Sequence, residues 1–218
     1  DSTCGPKGKG KDYGWEVASF IASGIEDFDY IGSVAELLFS SGIKANKNCG
    51  LHVHAEINDY SPRNMGILMA QWIKVEDWLF NACRPRRTKN KYCRSVKSRI
   101  RKYYIPYDPG NMQDFWNNIR PKDTAVHNND EKKYTLNTVG YVSGEMNPLH
   151  NRITAEMRLP ECILRKHHVK NWSLLFINFV DNCLTLEPPS TLRTYKKLGD
   201  VLNVLGLGHS NSTFNIFG

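Results

Sequence analysis

The sequence predicts an α+β fold in which an antiparallel sheet packs on helices with one face and leaves its other face open to a ligand. Two stretches, 51–57 and 152–160, alternate apolar and polar residues with a period of two, which indicates strands buried on one side only. Several longer segments repeat apolar residues at helical spacing instead. This combination is typical of an antiparallel sheet covered by helices on one face.

Length and composition indicate a single domain over 15–205, with a Gly- and Lys-rich arm at 1–14 and a Gly- and Asn-rich tail at 206–218. At 218 residues the chain is long enough for a substantial core. It contains no apolar run of membrane-spanning length and opens on no signal-peptide pattern, so we expect a cytoplasmic protein. The six cysteines lack a tight metal-ligand spacing, and reduced thiols suit that location better than disulfides.

The N-terminal part combines the arm with one strand and one helix. Residues 1–14 lack P-loop spacing and follow no strand, which favours a mobile arm over a phosphate-binding loop. Residues 15–20 alternate as a strand, in which Glu16 stands among apolar and small neighbours. Such a carboxylate either has a functional role or belongs to an ordinary edge strand. Helical spacing then predicts a helix over 26–41 that ends near Gly42.

The stretch 51–57 places His52, His54 and Glu56 on one face and its apolar residues on the other. Two imidazoles and a carboxylate on one strand face suit a divalent cation or phosphate groups. The same pattern also fits a half-buried strand with a polar outer side. This stretch alone leaves both interpretations open.

A long helix and a basic segment follow. Ser61 and Pro62 form the N-cap and first turn of a helix that ends near Arg84. The range 84–102 carries ten basic residues and no acidic one; without these ten, 19 of the 29 basic residues face 22 acidic ones. The net charge of +7 is therefore a local feature. Arginines suit phosphate groups and interleaved tyrosines suit nucleic-acid bases, but a solvated helix face explains the lysines equally well.

The second half of the chain supplies the remaining elements. We predict a short helix at 110–119, a polar loop at 120–133, a short strand at 134–138 and a connection at 140–151. The second alternating strand follows at 152–160, and two helices follow at 166–184 and 190–205. The second alternating strand has an apolar side and a polar side formed by Arg152, Thr154, Glu156 and Arg158. Its division of faces repeats that of the His strand.

Four motifs over roughly 12–185 resemble, in order and approximate spacing, those of the amidoligase family, a branch of the glutamine synthetase-like carboxylate–amine ligases. They are Cys49-Gly50-Leu51-His52-Val53-His54, Arg84-Pro85-Arg86-Arg87 with Tyr92-Cys93, Tyr134-Thr135-Leu136-Asn137, and Thr154-Ala155-Glu156-Met157-Arg158. Glu16, followed by Ser19, is similar to the glutamate strand that precedes the His pair in this family.

The resemblance implies a curved antiparallel sheet flanked by helices, as in a glutamine synthetase-like catalytic domain. It also implies that ATP phosphorylates the carboxylate of a small molecule or peptide and that an amine attacks the acyl phosphate. By the same resemblance, Mg²⁺, with Mn²⁺ as an alternative, would be held by Glu16, His52 and Glu156, which together with Arg158 would be catalytic. ATP phosphates would be bound by His54, Arg86 and Arg87, and substrate by Asn137 and Arg152.

One departure from the family pattern divides the hypotheses. Family members usually begin with a strand that carries a Glu-x-Glu pair, whereas residues 1–14 contain no glutamate. We expect either a fragment of a longer protein or a domain that lacks its first strand and part of the metal shell. Three functions follow: an active ligase, a degenerate ligase-like domain that serves as a structural or binding module in an oligomer or larger assembly, and, least favoured, a nucleic-acid binder through 84–104.

Overall fold

The structure, a computed structural model, describes residues 16–46, 49–121, 131–146 and 153–208. Within these ranges the chain has an α+β fold, as predicted, with helices and a three-stranded antiparallel sheet. The helices are α1 (Ile25–Ser40), α2 (Pro62–Asn81), α3 (Val96–Tyr103), α4 (Met112–Ile119), α5 (Val139–Met146), α6 (Lys166–Cys183) and α7 (Leu198–Val204). The strands are β1 (Val53–Glu56), β2 (Leu136–Asn137) and β3 (Thr154–Met157).

The sheet has the order β1-β3-β2, so β3 lies in the middle. In its register, Val53 pairs with Met157 and His54 pairs with Glu156. On the other side of β3, Asn137 pairs with the same Glu156. Because successive side chains of a strand point to opposite faces, this register gives the sheet one apolar and one polar face. The division of faces predicted for both alternating stretches is confirmed.

Helices α2 and α6 form the core beneath the apolar face of the sheet. The side chain of Ser61 accepts a hydrogen bond from the backbone N–H of Asn64, and the side chain of Asn64 accepts one from the backbone N–H of Ser61, which forms a capping box. The buried ring of Trp72 makes edge contacts with two phenylalanines of α6 at centroid distances of 5.5 and 6.0 Å. The indole N–H of Trp72 donates to Thr135, which ties α2 to the residue before β2.

Three sequence predictions about secondary structure are wrong. Residues 16–20, predicted to form a strand with Trp15, are irregular and exposed, and pair with no strand in the described ranges. The connection predicted over 140–151 begins instead as α5. Gly140 there marks a close approach rather than a loop, because a Cβ at this position would lie 2.6 Å from the carbonyl oxygen of Thr154.

The third wrong prediction is the start of the last helix at Ser190. Only Leu198–Val204 is helical, because the preceding residues bond to α2 instead of to one another. The backbone N–H of Tyr195 donates to the carbonyl oxygen of Lys74, and the indole N–H of Trp78 donates to the carbonyl oxygen of Tyr195.

Several other predictions concern residues outside the described ranges, namely the arm over 1–14, Trp15, Arg152 and the end of the tail. The helices predicted over 26–41, 110–119 and 166–184 are confirmed within one or two residues at each end. In the described part of the chain, no helix combines the length and the apolar composition that a bilayer crossing requires. The described cysteines are 49, 83, 93, 162 and 183, and no disulfide joins any two of them.

Candidate active site

The polar face of the sheet collects side chains from all three strands. We call the group formed by His52, His54, Asn137, Glu156 and Arg158 the Glu156 cluster. His54 lies on β1, Asn137 on β2 and Glu156 on β3, and the strand register brings these three into one row. His52 and Arg158 flank the row, one before β1 and one after β3. Positions two residues apart share a face of an extended chain, so the alternation of the sequence places all five together.

Glu156 lies at the centre of the cluster and is only 6% exposed. Its Oε2 accepts a hydrogen bond of 2.6 Å from Nδ2 of Asn137, and its Oε1 accepts one of 2.5 Å from Nη1 of Arg158. Nδ1 of His52 lies 3.1 Å from Oε1, whereas Nε2 of His54 lies 3.8 Å away. A carboxylate buried to this extent requires such partners, since an unpaired buried charge is strongly destabilising.

His52 is held in a defined orientation. Burial and the positive charge of Arg158 lower the pKa of His52 to about 4, although the Glu156 carboxylate opposes the shift. The imidazole is therefore neutral near pH 7, and the 3.1 Å approach of Nδ1 to the carboxylate favours the tautomer that carries its proton on Nδ1. In that tautomer Nε2 keeps its lone pair. A Cβ on Gly50 would approach this nitrogen to 3.2 Å, so the glycine leaves space beside it.

Arg87, predicted to bind ATP phosphate, is buried against the chain that follows β3. Its Nε donates to the carbonyl oxygen of Leu159 at 2.8 Å, and its Nη2 donates to that of Arg158 at 2.6 Å. The side chain is only 3% exposed. Arg87 thus fixes the backbone of Arg158. The phosphate-binding role of Arg87 stays a prediction. The side chain of Arg86 lies outside the described part.

The structure does not bring the other predicted site residues into the cluster. Glu16 is exposed in an irregular segment, and in the described ranges no hydrogen bond or ion pair joins it to His52 or Glu156. Arg152 lies outside the described residues. The cluster therefore contains five of the nine predicted residues, all from the two alternating stretches and the short strand between them.

Sequence reasoning overlooked the part played by the residues between these side chains. Thr154 lies opposite Glu56 in the strand register, and its Oγ1 is 3.4 Å from Nδ1 of His54. Asn137 also accepts a hydrogen bond of 3.0 Å from the backbone N–H of Val139, so the same side chain that binds Glu156 anchors the start of α5. The period of two placed Thr154 on the polar face, but only the strand register identifies its neighbour.

The donor set of the cluster fits an anion or a neutral polar group better than Mg²⁺. Mg²⁺ prefers several oxygen ligands. Glu156, however, already accepts from a cation and an amide, and Glu56 accepts a hydrogen bond of 2.5 Å from Nδ2 of Asn58. Across the described ranges, no three His, Cys, Asp or Glu side chains lie close enough together to hold a metal ion. The described residues alone do not form a Mg²⁺ site.

Comparison with known proteins gives one match. The model of a family described as "putative amidoligase enzyme" matches residues 2–180, well over half of the chain and the whole of the Glu156 cluster. Neither a curated protein nor a solved structure matches. The family match indicates a function of the ligase type.

Proposed function

Because the chain belongs to the amidoligase enzyme family, we propose that it is an ATP- and Mg²⁺-dependent carboxylate–amine ligase with the Glu156 cluster as its catalytic face. The observation that carries this proposal is the buried Glu156, which hydrogen bonds from Asn137 on β2 and from Arg158 after β3 hold in place. Buried ionisable groups in a fixed polar cluster are typical of catalytic sites. The glutamine synthetase-like architecture is part of the same proposal.

The proposed reaction has two steps. A carboxylate oxygen of the substrate attacks the γ-phosphorus of ATP, which forms an acyl phosphate and releases ADP. The nitrogen of an amine then attacks the acyl carbon, the C–O bond to phosphate breaks, and the nitrogen loses a proton as the amide forms. Mg²⁺ enters as part of the MgATP substrate, where it neutralises phosphate charge.

Arg158 is the residue proposed to recognise the anionic groups. Its Nη1 contacts Glu156, and its side chain is 18% exposed. Its Nε is buried without a hydrogen-bond partner among the described residues. A guanidinium with unused donor capacity can bind a carboxylate or an acyl phosphate while it keeps one contact to Glu156. The backbone bonds from Arg87 hold Arg158 at this position.

His52 is the residue proposed to accept the proton of the attacking amine. Its Nδ1 is engaged by Glu156, so its Nε2 has the lone pair that a proton acceptor needs. Glu156 orients the ring and stabilises the imidazolium that forms. His54 has a half-exposed side chain and follows two residues later on β1, where it suits contact with a phosphate group.

The test uses hydroxylamine as the amine, because an acyl phosphate reacts with it to give a hydroxamate. The protein is incubated with MgATP, hydroxylamine and a panel of dicarboxylic amino acids and peptides, and both ADP and hydroxamate are measured. We expect Glu156→Gln to lower hydroxamate formation by about 100-fold or more, since it removes the charge that holds His52 and Arg158. Glu187→Gln, at an exposed acid, is the matched control.

A second candidate function is a ligase-like binding module without turnover. The observation that favours it is the saturation of Glu156 by Arg158 and Asn137, which is also what a structural ion pair would show. Under this alternative, MgATP leaves the melting temperature unchanged, and no carboxylate gives hydroxamate with the unmodified protein. Hydroxamate formation that depends on ATP would exclude it.

A further inference from the structure

A basic cleft lies away from the Glu156 cluster, between α3 and the loop that precedes α7. Its volume is about 720 Å³. The cationic side chains of Lys97, Arg101, Lys102 and Arg193 line it, together with the carboxylate of Asp77 and three hydroxyl side chains. None of its lining residues belongs to the polar face of the sheet. Four cations thus face a single carboxylate.

Asp77 offsets only part of the positive charge of the cleft. Nζ of Lys97 lies 2.5 Å from Oδ2 of Asp77, and the hydroxyl of Thr194 donates to the same oxygen at 2.7 Å. Burial alone would raise the pKa of Asp77, but these hydrogen bonds and the charges of Lys97 and Arg101 keep it below its usual value. In the described ranges no ion pair joins Arg101 or Arg193 to an acidic side chain. Their charges are available to an anion.

Both walls of the cleft are fixed to α2. Buried Glu76 accepts hydrogen bonds from the hydroxyl of Ser95 and the backbone N–H of Val96, which holds the start of α3. On the opposite wall, Nζ of Lys74 donates to the carbonyl oxygen of Thr191, and the indole of Trp78 donates to that of Tyr195. A cleft held in this way loses little conformational freedom when it binds a ligand.

Helix stability does not explain this arrangement of charge. The helix dipole favours Arg101 and Lys102 in the last turn of α3, but it disfavours Lys97 in the first turn. Lys97 and Arg101 are also four residues apart, where like charges repel. Arg193 lies outside any helix and adds a fourth cation from the facing loop. The carboxylate of Asp77 offsets part of this repulsion through its ion pair with Lys97, and a bound anion would offset the rest.

We propose that this cleft binds a small ligand carrying two or more phosphate groups, at a site distinct from the ligase face. Its volume falls in the range of small-molecule sites, and its guanidinium and ammonium groups with nearby hydroxyls suit phosphate oxygens. The lining contains one apolar side chain and no aromatic ring on which a nucleic-acid base could stack. Tyr104, which is 90% exposed, is not among the lining residues.

The test is calorimetric titration with inorganic tripolyphosphate in buffer without Mg²⁺ or nucleotide. We expect binding at one site, and at least tenfold weaker binding in the double variant Arg101→Gln/Arg193→Gln. The control is Lys44→Gln/Lys89→Gln, which removes the same charge from two exposed positions outside the cleft and should change the affinity less than twofold. Circular dichroism of each variant checks that the fold is retained.

Two results would overturn the proposal. The first is that tripolyphosphate does not bind; if a single-stranded oligonucleotide then binds, the basic surface is a nucleic-acid interface. The second is that both double variants weaken tripolyphosphate binding equally, which would indicate attraction to net charge alone. Arg101→Gln/Arg193→Gln leaves the Glu156 cluster unchanged, so weaker binding in this variant locates the phosphate site in the cleft whatever the outcome of the ligase test.

Discussion

Arg158 and Glu156 form an ion pair of 2.5 Å on the polar face of the sheet, with only 18% and 7% of their side chains exposed. They stand two residues apart, so the extended chain itself brings them to the same face. The pair links the two halves of the cluster, because Glu156 contacts Asn137 and His52 while the backbone of Arg158 is held by Arg87. The ion pair therefore joins Arg158 to Asn137 and His52 through the carboxylate of Glu156.

Removal of the Arg158 guanidinium should destabilise the fold as well as the site. In Arg158→Met the Glu156 carboxylate stays buried without its cation, and we expect a loss of about 3 kcal/mol in the free energy of unfolding. Urea denaturation measures this loss in the free energy of unfolding. The control is Arg63→Met, which breaks an exposed pair with Glu187 and should cost less than about 1 kcal/mol. Equal losses in the two variants would show that the buried pair has no special role.

The cluster was predictable from sequence to the extent that it depends on strand periodicity. The alternation in 51–57 and 152–160 identified the polar face, and the structure confirms that face. The partners of Arg87 were not predictable, because an arginine beside a helix end suits a phosphate as well as it suits two backbone carbonyls. Nothing local distinguishes the two; only the position of the chain after β3 does.

Two of the three wrong secondary-structure predictions share a physical cause, which is that tertiary contacts decided the outcome. Gly140 suggested a loop, yet it lies within α5, where the absence of a Cβ allows a close approach to the carbonyl oxygen of Thr154. Residues 190–197 have helical spacing, but hydrogen bonds to Lys74 and Trp78 fix them in another conformation. Local pattern cannot anticipate bonds to residues more than 100 positions away.

Buried Glu76 should make stability depend on pH. Burial raises its pKa, although hydrogen bonds from Ser95, Thr135 and Val96 oppose the rise. The folded protein therefore holds this proton more tightly than the unfolded chain, whose value is about 4.5. Stability from this group is present below pH 4.5 and is lost as the pH rises towards the folded value.

The variant Glu76→Gln has no proton to lose at this position. We expect its free energy of unfolding, relative to that of the unmodified protein, to increase as the pH is raised from 4.5 to 7.5. Urea denaturation of both proteins at each pH gives the difference. A difference that does not change with pH would contradict the raised pKa of Glu76. Asp77→Asn, at the neighbouring residue whose pKa is lowered, should show no such trend in this range, because that carboxyl is ionised in both the folded and the unfolded chain above pH 4.5.

The cysteines should separate into two classes of reactivity. Cys83, Cys93 and Cys183 are buried, and burial raises the pKa of each thiol, that of Cys93 to about 11. Cys49 and Cys162 are half-buried. Iodoacetamide at pH 7.5 should label these two first, because it reacts with accessible thiolates. Peptide mass spectrometry determines the order in which the cysteines are labelled, and labelling in urea controls for their intrinsic reactivity. A Cys83–Cys93 disulfide in the non-reduced protein would contradict the prediction that these two residues are buried thiols.

His52→Asn should separate proton transfer from the structural role of the ring. The Asn amide nitrogen can take the place of Nδ1 and still donate to Glu156, but it supplies no base where Nε2 was. Loss of a general base lowers turnover by about 100-fold or more with an amine that reaches the site as an ammonium ion. Hydroxylamine is mostly unprotonated at pH 7.5, so we expect its reaction to fall by less than about tenfold.

The measurement is the ratio of the rate with the ammonium-type amine to the rate with hydroxylamine, and an unchanged melting temperature is the control. If both amines lose the same factor, His52 serves to position Glu156 and does not take the proton.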